Sequence, residues 1–290
     1  MPITKMVIPV AGFGTRMLPA TKTIPKEMVP IVDRPVIHYL IEEAADSGIE
    51  EVILVNHPSK QAIEDYFKPN HDLEKRLIES GKQDLLDEIR AIEKRVKISV
   101  VYQHEPLGNG HAILMAKDLV GNEPFVVAWG DDIFEGNEPR VKQMIDTYNT
   151  YGGSVLACIQ SSEETFEAHC KRYGCVGGRA VSDSVYAIDT MIEKPAPEEA
   201  PSNLFSVGGY LFTPRIMELL VETKPGKSNE IWLADAIAKL LQEETVYGKI
   251  VTGHYWDIGS KIGFLKANVY FALQRDDTRG EMLEFLKTVS

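Results

Sequence analysis

Residues 7–19 have the sequence VIPVAGFGTRMLP, and PKEM follows a few positions later at 25–28. The apolar run at the start of the first stretch is typical of a buried β-strand. Gly12 and Gly14 then allow a tight turn and let backbone N–H groups approach an anion closely. Permanent positive charge beside that turn comes from Arg16 and Lys26. The pattern predicts a strand followed by a loop that binds phosphate groups, such as those of a nucleoside triphosphate.

A dinucleotide-binding fold is the alternative interpretation of two glycines after a first strand. That fold needs a third small residue in the turn and an acidic residue about 20 positions further on. Met17 stands where the third glycine would be, and the second predicted strand runs into the sequence NHP at 56–58. These departures favour the phosphate-binding loop, while an NAD-dependent oxidoreductase stays open as an alternative of a different class.

The composition is typical of one large α/β domain. The chain has 290 residues, of which 44% are hydrophobic. Its first residues lack the apolar core of a signal peptide, and no apolar run is long enough to cross a bilayer. We therefore expect a cytoplasmic protein. Three cysteines suit a reducing compartment, and Cys170 and Cys175 lack the spacing of a zinc site, so we expect buried thiols.

The net charge of −12 argues against nucleic acid and anionic membranes as partners. An acidic protein that handles polyphosphate must concentrate cations locally or recruit a metal ion. The candidates for that local positive charge are Arg16, Lys22, Lys26, Lys194 and Lys261.

Strand and helix patterns alternate along most of the chain, which predicts a parallel sheet with right-handed crossovers. Strands are predicted over 7–10, 52–55, 98–102, 125–129, 154–160, 204–212 and 246–252. Helices are predicted over 36–47, 112–119, 139–151, 214–221, 231–242 and 261–273. A meander of shorter strands is expected over 173–192. Residues 60–95 are predicted to form a charged helical insertion, split at Gly81, with most of its charges in solvent.

Two short motifs follow predicted strands. Asp131 and Asp132 come directly after the strand at 125–129, at the end where open α/β sheets bind ligands. From this position Asp131 is either a metal ligand or a turn residue, and Asp132 is either a turn residue or a supporting acid. Glu193 and Lys194 precede Pro195, which favours an extended backbone at Lys194. In an extended chain the two side chains would point in opposite directions.

Several motifs together resemble the bacterial UTP–glucose-1-phosphate uridylyltransferases, within the sugar-phosphate nucleotidyltransferases. They are 11–16 (AGFGTR), 25–28 (PKEM), 108–112 (GNGHA), 130–131 (GD), 193–195 (EKP), 257–261 (DIGSK) and 265–268 (LKAN). The insertion at 73–86 resembles the uridylyl branch more than the thymidylyl branch. The resemblance extends from one end of the chain to the other.

The resemblance implies a fold and a division of the chain. The fold is a three-layer α/β/α nucleotidyltransferase domain, Rossmann-like with a mixed central sheet. A single domain would span 1–290, with the helical insertion at about 60–95, a sugar-binding part at about 160–260 and C-terminal helices at about 260–290. A homo-oligomer, dimer or tetramer, is also expected.

The resemblance also implies a reaction: UTP and glucose 1-phosphate give UDP-glucose and pyrophosphate with the help of Mg²⁺. Catalytic roles fall on Arg16, Lys26 and Lys194, and metal binding falls on Asp131 and Asp257. Nucleotide binding falls on Ala11, Gly12, Gly14, Thr15, Glu27, Gln103 and Gly108. Sugar binding falls on Glu193, Lys194 and Gly209. His111 is expected to cap or pack a helix rather than to catalyse.

Three features depart from the family pattern. Asn109 replaces a leucine, Gly209 replaces an arginine, and residues 229–235 (NEIWLAD) replace a GEIQLTD segment. These changes leave the predicted phosphate site intact and bear on sugar specificity and subunit packing. A thymidylyltransferase or another sugar-1-phosphate nucleotidyltransferase therefore remains the nearest alternative.

Overall fold

The computed structural model describes residues 2–226 and 229–289. Its strands are β1 (Lys5–Pro9), β2 (Pro30–Ile31), β3 (Arg34–Pro35), β4 (Glu51–Asn56), β5 (Lys97–Tyr102), β6 (Phe125–Ala128), β7 (Asp132–Glu135), β8 (Val155–Gln160), β9 (Gly174–Ala180), β10 (Val185–Glu193), β11 (Leu204–Phe212), β12 (Val246–Ile250) and β13 (His254–Asp257). Its α-helices are α1 (Val36–Asp46), α2 (Gln61–Asp65), α3 (His71–Glu79), α4 (Gln83–Glu93), α5 (Asn109–Leu114), α6 (Lys117–Val120), α7 (Arg140–Tyr151), α8 (Glu163–Cys170), α9 (Arg215–Glu222), α10 (Leu233–Leu240), α11 (Lys261–Gln274) and α12 (Asp276–Val289).

Nine of these strands form one mixed sheet in the order β5-β4-β1-β6-β11-β8-β12-β10-β9. The first four strands run parallel, whereas β11 is antiparallel to both β6 and β8. The βαβ pattern therefore predicts the first half of the sheet correctly. The second half combines the antiparallel pairs β11–β8, β12–β10 and β10–β9 with the parallel pair β8–β12, which agrees with the expectation of a mixed sheet.

Helices cover both faces of the sheet, as the alternation of side chains along β1 shows. Met6 and Ile8 point into one apolar core beneath α1 and α7, and Val7 points into the other beneath α5, α9 and α10. Successive strand residues face opposite sides of a sheet, so an apolar strand such as β1 must be covered twice. The expected three-layer α/β/α arrangement is confirmed.

The charged segment at 60–95 is helical, as predicted, and consists of α2, α3 and α4. Gly81 separates the last two helices at a φ of +68°, a backbone conformation that favours glycine. Arg90 donates a hydrogen bond of 3.0 Å from Nε to Glu74 Oε2 and so ties the two helices together. Helices α11 and α12 form the C-terminal end of the chain, and its division into parts, including a sugar-binding part, stays a prediction.

The sequence interpretation differs from the structure at several elements. Helix α8 was not expected, because its sequence EETFEAHC contributes only Cys170 as a fully buried side chain. The helix predicted at 112–119 begins earlier, at Asn109, and is interrupted after Leu114. Strands β7 and β13 form a separate two-stranded ribbon, with Asp257 opposite Asp132. The paired residues of these two strands lie more than a hundred positions apart in the sequence, so no local pattern could reveal the pairing.

All three cysteines are free and buried, as expected for structural thiols. Cys170 and Cys175 pack with Phe205 in a small apolar cluster of their own. Within the ranges 2–226 and 229–289, no helix has both the length and the apolar character needed to cross a membrane.

Candidate active site

A cavity of about 660 Å³ lies at the carboxyl ends of the central strands. It is lined by the loops that follow β1, β5 and β6 and by residues of β10, β11 and the segment before α10. Of the predicted site residues, the cavity wall contains Ala11, Gly12, Arg16, Lys26, Gln103, Gly108, Asp131, Glu193, Lys194 and Asp257. A cavity of this size fits a ligand of nucleotide dimensions.

The loop after β1 is shaped by its second glycine. Gly14 has a φ of +63°, and a Cβ at this position would lie 3.1 Å from Lys26 Cβ and 3.3 Å from Thr21 Cγ2. The Thr21 hydroxyl donates to the Gly14 carbonyl over 2.8 Å. Gly14 and Thr15 do not line the cavity. They shape the loop that brings Arg16 and Lys26 to it.

Two carboxylates and two cations meet at the centre of the cavity. Lys26 Nζ lies 2.7 Å from Asp131 Oδ2, and Arg16 Nη2 lies 3.4 Å from the same oxygen. Arg16 Nη1 lies 3.7 Å from Asp257 Oδ2, although the arginine side chain is 63% exposed. Arg16 therefore contacts both carboxylates from the solvent side, whereas the less exposed Lys26 contacts Asp131.

The pKa values of these groups reflect burial and mutual charge. Burial alone would lower the pKa of Lys26, but Asp131 and Glu27 outweigh it and raise the pKa above its ordinary value, so the ammonium stays charged. Burial raises the pKa of Asp257, and Asp131 raises it further, against the opposing effect of Arg16. Additional positive charge beside the two carboxylates would stabilise their ionised forms.

The β7–β13 ribbon is what brings Asp131 and Asp257 together. The Ile258 N–H donates to the Asp131 carbonyl over 3.0 Å, directly beyond the paired residues Asp132 and Asp257. Gly259 has no room for a side chain, since a Cβ there would lie 2.3 Å from Asp131 Oδ2 and 2.4 Å from Arg16 Nη2. The glycine of the DIGSK motif thus leaves space for the charged cluster.

Asp132 does not occupy a turn, because it begins strand β7. Burial raises its pKa to about 8, and Asp131 contributes to the same shift while Arg140 opposes it. Its Oδ2 lies against Gly208, where a Cβ would be only 1.8 Å away. The absence of a side chain at Gly208 therefore leaves room for the buried Asp132 carboxyl at the cavity. This position fits the expectation of a supporting acid better than that of a turn residue.

Gln103 and Gly108 form the end of the cavity that was predicted to bind the base. Gln103 Nε2 donates to the Gly108 carbonyl over 3.1 Å and lies 2.9 Å from His111 Nδ1. Gly108 has a φ of +99°, and a Cβ there would be 2.5 Å from the Ile231 carbonyl oxygen. The two glycines of the GNGHA motif are thus needed because the backbone of the segment that precedes α10 leaves no room for a side chain at either position.

Asn109, which departs from the family pattern, joins the same two segments. Its Oδ1 accepts a hydrogen bond of 2.9 Å from the Leu233 N–H at the start of α10. The Gly110 N–H donates to the Ile231 carbonyl over 2.9 Å, and the Ile231 N–H donates to the Leu107 carbonyl over 2.8 Å. The loop after β5 is therefore fastened to the wall that carries Trp232.

The extended backbone expected at Lys194, which would have pointed its side chain away from that of Glu193, is not found. Lys194 has a φ of +48° rather than an extended backbone, because the chain turns where β10 ends. Its Nζ lies 3.6 Å from Glu193 Oε1, and both residues line the cavity. The proline rule disfavours the right-handed helical region at the preceding residue, but it does not impose an extended chain.

Two predicted residues lie behind the cavity wall. Glu27 is fully buried, and its Oε2 lies 2.7 Å from Lys60 Nζ. Gly209 faces Arg140 and Ala157, where a Cβ would lie 3.0 Å and 3.1 Å from their side chains, and its neighbour Gly208 lines the cavity instead. Contacts of Glu27 with the base and of Gly209 with the sugar stay predictions.

The sequence interpretation missed several residues on the side of the cavity near Glu193. A signal for part of this wall existed, because the β9–β10 hairpin pairs Gly174 with Glu193 and so brings the RYG sequence beside the EKP motif. The aromatic members Trp129 and Tyr210 make an edge-to-face contact at 5.6 Å. The missed wall residues include Trp129, Lys171, Arg172, Tyr173, Ser206, Tyr210 and Trp232.

Comparison with known proteins agrees with the fold and the motifs. A model of the nucleotidyl transferase family matches residues 5–273. UTP–glucose-1-phosphate uridylyltransferase 1 of Staphylococcus saprophyticus is 42% identical over 290 residues, which is 100% of both chains. Among solved structures, the UTP-bound UGPase from Acinetobacter baumannii superposes with a TM-score of 0.91 at 39% identity, covering 100% of both chains. A UDP-glucose pyrophosphorylase complexed with UDP-glucose gives 0.85 at 39% identity, covering 94% of this chain and 100% of that one.

These matches span the strand, the glycine loop and the two carboxylates that form the cavity. They exclude the dinucleotide-binding alternative and confirm the resemblance to uridylyltransferases. The chain belongs to the nucleotidyl transferase family.

Proposed function

We propose that this protein is a UTP–glucose-1-phosphate uridylyltransferase. The phosphate oxygen of glucose 1-phosphate attacks the α-phosphorus of UTP, the bond to the β-phosphate oxygen breaks, and UDP-glucose and pyrophosphate are formed. The observation that carries the proposal is the meeting of Arg16, Lys26, Asp131 and Asp257 in one cavity. The full-length identity to enzymes with this name supports the choice of substrates.

The attacking phosphate is already ionised at neutral pH, so the protein needs no general base. Its work is to align two polyanions and to stabilise the charge that develops between them. Arg16 suits two-point capture of phosphate oxygens, and Lys26 supplies a compact charge at the cavity centre. Lys194, which also lines the cavity, would hold the phosphate of the sugar, while Glu193 beside it would accept sugar hydroxyls.

Members of this family generally use a divalent metal ion, and Asp131 and Asp257 suit Mg²⁺. Their oxygens are hard ligands, and Mg²⁺ prefers one or two carboxylates together with phosphate oxygens and water. Burial raises the pKa of Asp257 and Asp131 raises it further, so a cation bound beside the pair would favour its ionised form. When bound, the ion would neutralise phosphate charge and favour the in-line geometry.

The assay that tests the function is pyrophosphate release over a panel of nucleotides and sugar 1-phosphates. We expect turnover with UTP and glucose 1-phosphate to exceed turnover with every other pair. Faster turnover with dTTP would favour the thymidylyltransferase alternative instead.

Selectivity for the base gives a separate prediction. Gln103 is held by Gly108 in a nearly buried position, so an unmatched base would leave polar groups without partners. We expect kcat/KM for UTP to exceed that for ATP and GTP by at least about a hundredfold, with dTTP as the closest competitor. Equal values for UTP and ATP would contradict the assignment.

Glu193 and Lys194 should differ in what their loss does to sugar selectivity. Lys194→Ala should lower kcat/KM for glucose, galactose and N-acetylglucosamine 1-phosphates alike, because all three carry the same phosphate. Glu193→Ala should reduce the discrimination between them, and Lys194→Arg should recover only part of the lysine's effect. The measurement is kcat/KM for the three sugars, and an unchanged sugar profile in Glu193→Ala would refute its role.

We also propose a cytoplasmic homo-oligomer, dimer or tetramer. Free buried cysteines suit a reducing compartment. The last two helices expose large apolar side chains that a second copy could cover, among them Ile262, Leu265 and Phe285. Light scattering on the purified protein tests the oligomer directly, and a monomeric mass at micromolar concentration would reject it.

A further inference from the structure

Lys60 is a buried lysine directly behind the loop that follows β1. Its Nζ donates to the Val10 carbonyl, to the Gly12 carbonyl over 2.8 Å and to Glu27 Oε2 over 2.7 Å. An ammonium group has three donors, so each has one acceptor. The lysine side chain is 7% exposed and the Glu27 side chain is 0% exposed.

A charged ammonium group is costly to bury unless its hydrogen-bond acceptors are well placed. Burial lowers the pKa of Lys60, and Glu27 opposes that shift. Two of the three acceptors are backbone carbonyls of the loop rather than side chains. Lys60 is therefore bound to the loop itself. Its contacts fix the orientation of the two peptide planes that contain the Val10 and Gly12 carbonyls.

The orientation of those planes determines what the loop presents to a ligand. In a trans peptide the C=O and the following N–H point in opposite directions. Because the carbonyls of Val10 and Gly12 point at Lys60, the N–H groups of Ala11 and Phe13 point away from it. Neither N–H donates to a backbone acceptor among residues 2–226 and 229–289. Ala11 and Gly12 line the cavity.

We propose that Lys60 is a positioning residue that holds the Val10–Gly12 backbone in the orientation needed to bind UTP. This rests on the proposed assignment of the loop to the nucleotide and adds the residue that keeps the loop in place. Glu27 completes the arrangement by balancing the lysine charge. Lys60 acts through the loop and has no predicted contact with substrate.

The test compares Lys60→Met with Lys68→Met. Lys68 lies on the same segment but is exposed and pairs with Asp65, so its variant is the matched control. In Lys60→Met we expect the dissociation constant and the KM for UTP to rise on the order of tenfold or more, as for a lost hydrogen bond to the ligand. The KM for glucose 1-phosphate should stay within about twofold, because its predicted contacts are with Glu193 and Lys194 and not with the loop after β1. A purely structural lysine would lower stability and active fraction without this selective change.

Hydrogen exchange in the ligand-free protein tests the same proposal without using the reaction. Exchange of the Val10 amide, which donates to the Val55 carbonyl over 2.8 Å, should accelerate about tenfold or more in Lys60→Met and stay unchanged in Lys68→Met. UTP affinity is measured by calorimetry without a sugar phosphate, so failure of the proposed reaction would not be confused with failure of this inference. Should Lys60→Met not fold, Lys60→Gln is expected to show the same two changes.

Lys60→Arg should recover part of the lost affinity, because it keeps the charge and several donors in a larger, planar group. A folded Lys60→Met or Lys60→Gln protein with normal UTP affinity would overturn the proposal. So would normal exchange of the Val10 amide. Faster exchange with normal UTP affinity would show that the loop is held by Lys60 but does not bind the nucleotide, which also overturns it.

Discussion

Asp131→Ala should lower kcat on the order of a thousandfold or more, with only a small change in thermal stability. The carboxylate lies 2.7 Å from Lys26 Nζ and 3.4 Å from Arg16 Nη2, so its loss removes a proposed metal ligand and disturbs the two cations proposed to bind phosphate. The measurement is pyrophosphate release at saturating substrates and a range of Mg²⁺ concentrations.

The matched control is Asp146→Ala, which removes an exposed acid that pairs with Lys142 on α7. We expect that variant to retain wild-type turnover. Wild-type protein in excess EDTA should lose activity to the same extent as Asp131→Ala and regain it when Mg²⁺ is restored. Near-normal turnover of Asp131→Ala, or full activity in EDTA, would refute the metal assignment.

Arg140→Leu should lower the free energy of unfolding by about 3–5 kcal/mol, the typical cost of leaving a buried charge without its partner. Arg140 is 0% exposed and binds Glu43 through two nitrogens, with Nη2 2.9 Å from Oε2 and Nε 3.2 Å from Oε1. Removal of the guanidinium would leave the Glu43 carboxylate buried with one backbone donor, the Val141 N–H. Urea denaturation measures the loss.

Arg215→Leu is the control for this prediction. Arg215 also binds a carboxylate through two nitrogens, on Glu243, but that pair is exposed to solvent. Water replaces the lost contacts at an exposed site, so we expect a much smaller loss of stability. Equal losses in the two variants would show that burial does not set the cost. The double variant Arg140→Leu/Glu43→Leu should recover part of the stability, because the Glu43 carboxylate is then no longer buried without its partner.

Local patterns predicted the elements that depend on local sequence. Strand β11 was predicted at its observed limits, 204–212, since all nine of its residues are buried and apolar or small. Helix α1 was predicted within one residue at its end, because its apolar face repeats regularly before Gly48. The glycine loop after β1 was recognised from the combination of small and basic residues.

The parts that escaped prediction depend on contacts between distant segments. The β7–β13 ribbon joins residues that no periodicity connects. Lys60 belongs to a segment whose charges were expected in solvent, yet it lies against a loop about fifty positions earlier in the chain. A lysine's surroundings, and not its identity, decide whether it is a surface charge or a buried support.

The ribbon that pairs Asp132 with Asp257 also sets an order of events during synthesis. The first half of the catalytic centre, including the glycine loop and Asp131, is translated early, but its second carboxylate comes more than 120 residues later. A nascent chain could form β1, β4, β5 and β6 and still lack the second carboxylate of the proposed metal site. Catalysis therefore becomes available only when nearly the whole polypeptide has emerged and folded, so an unfinished chain could not consume UTP.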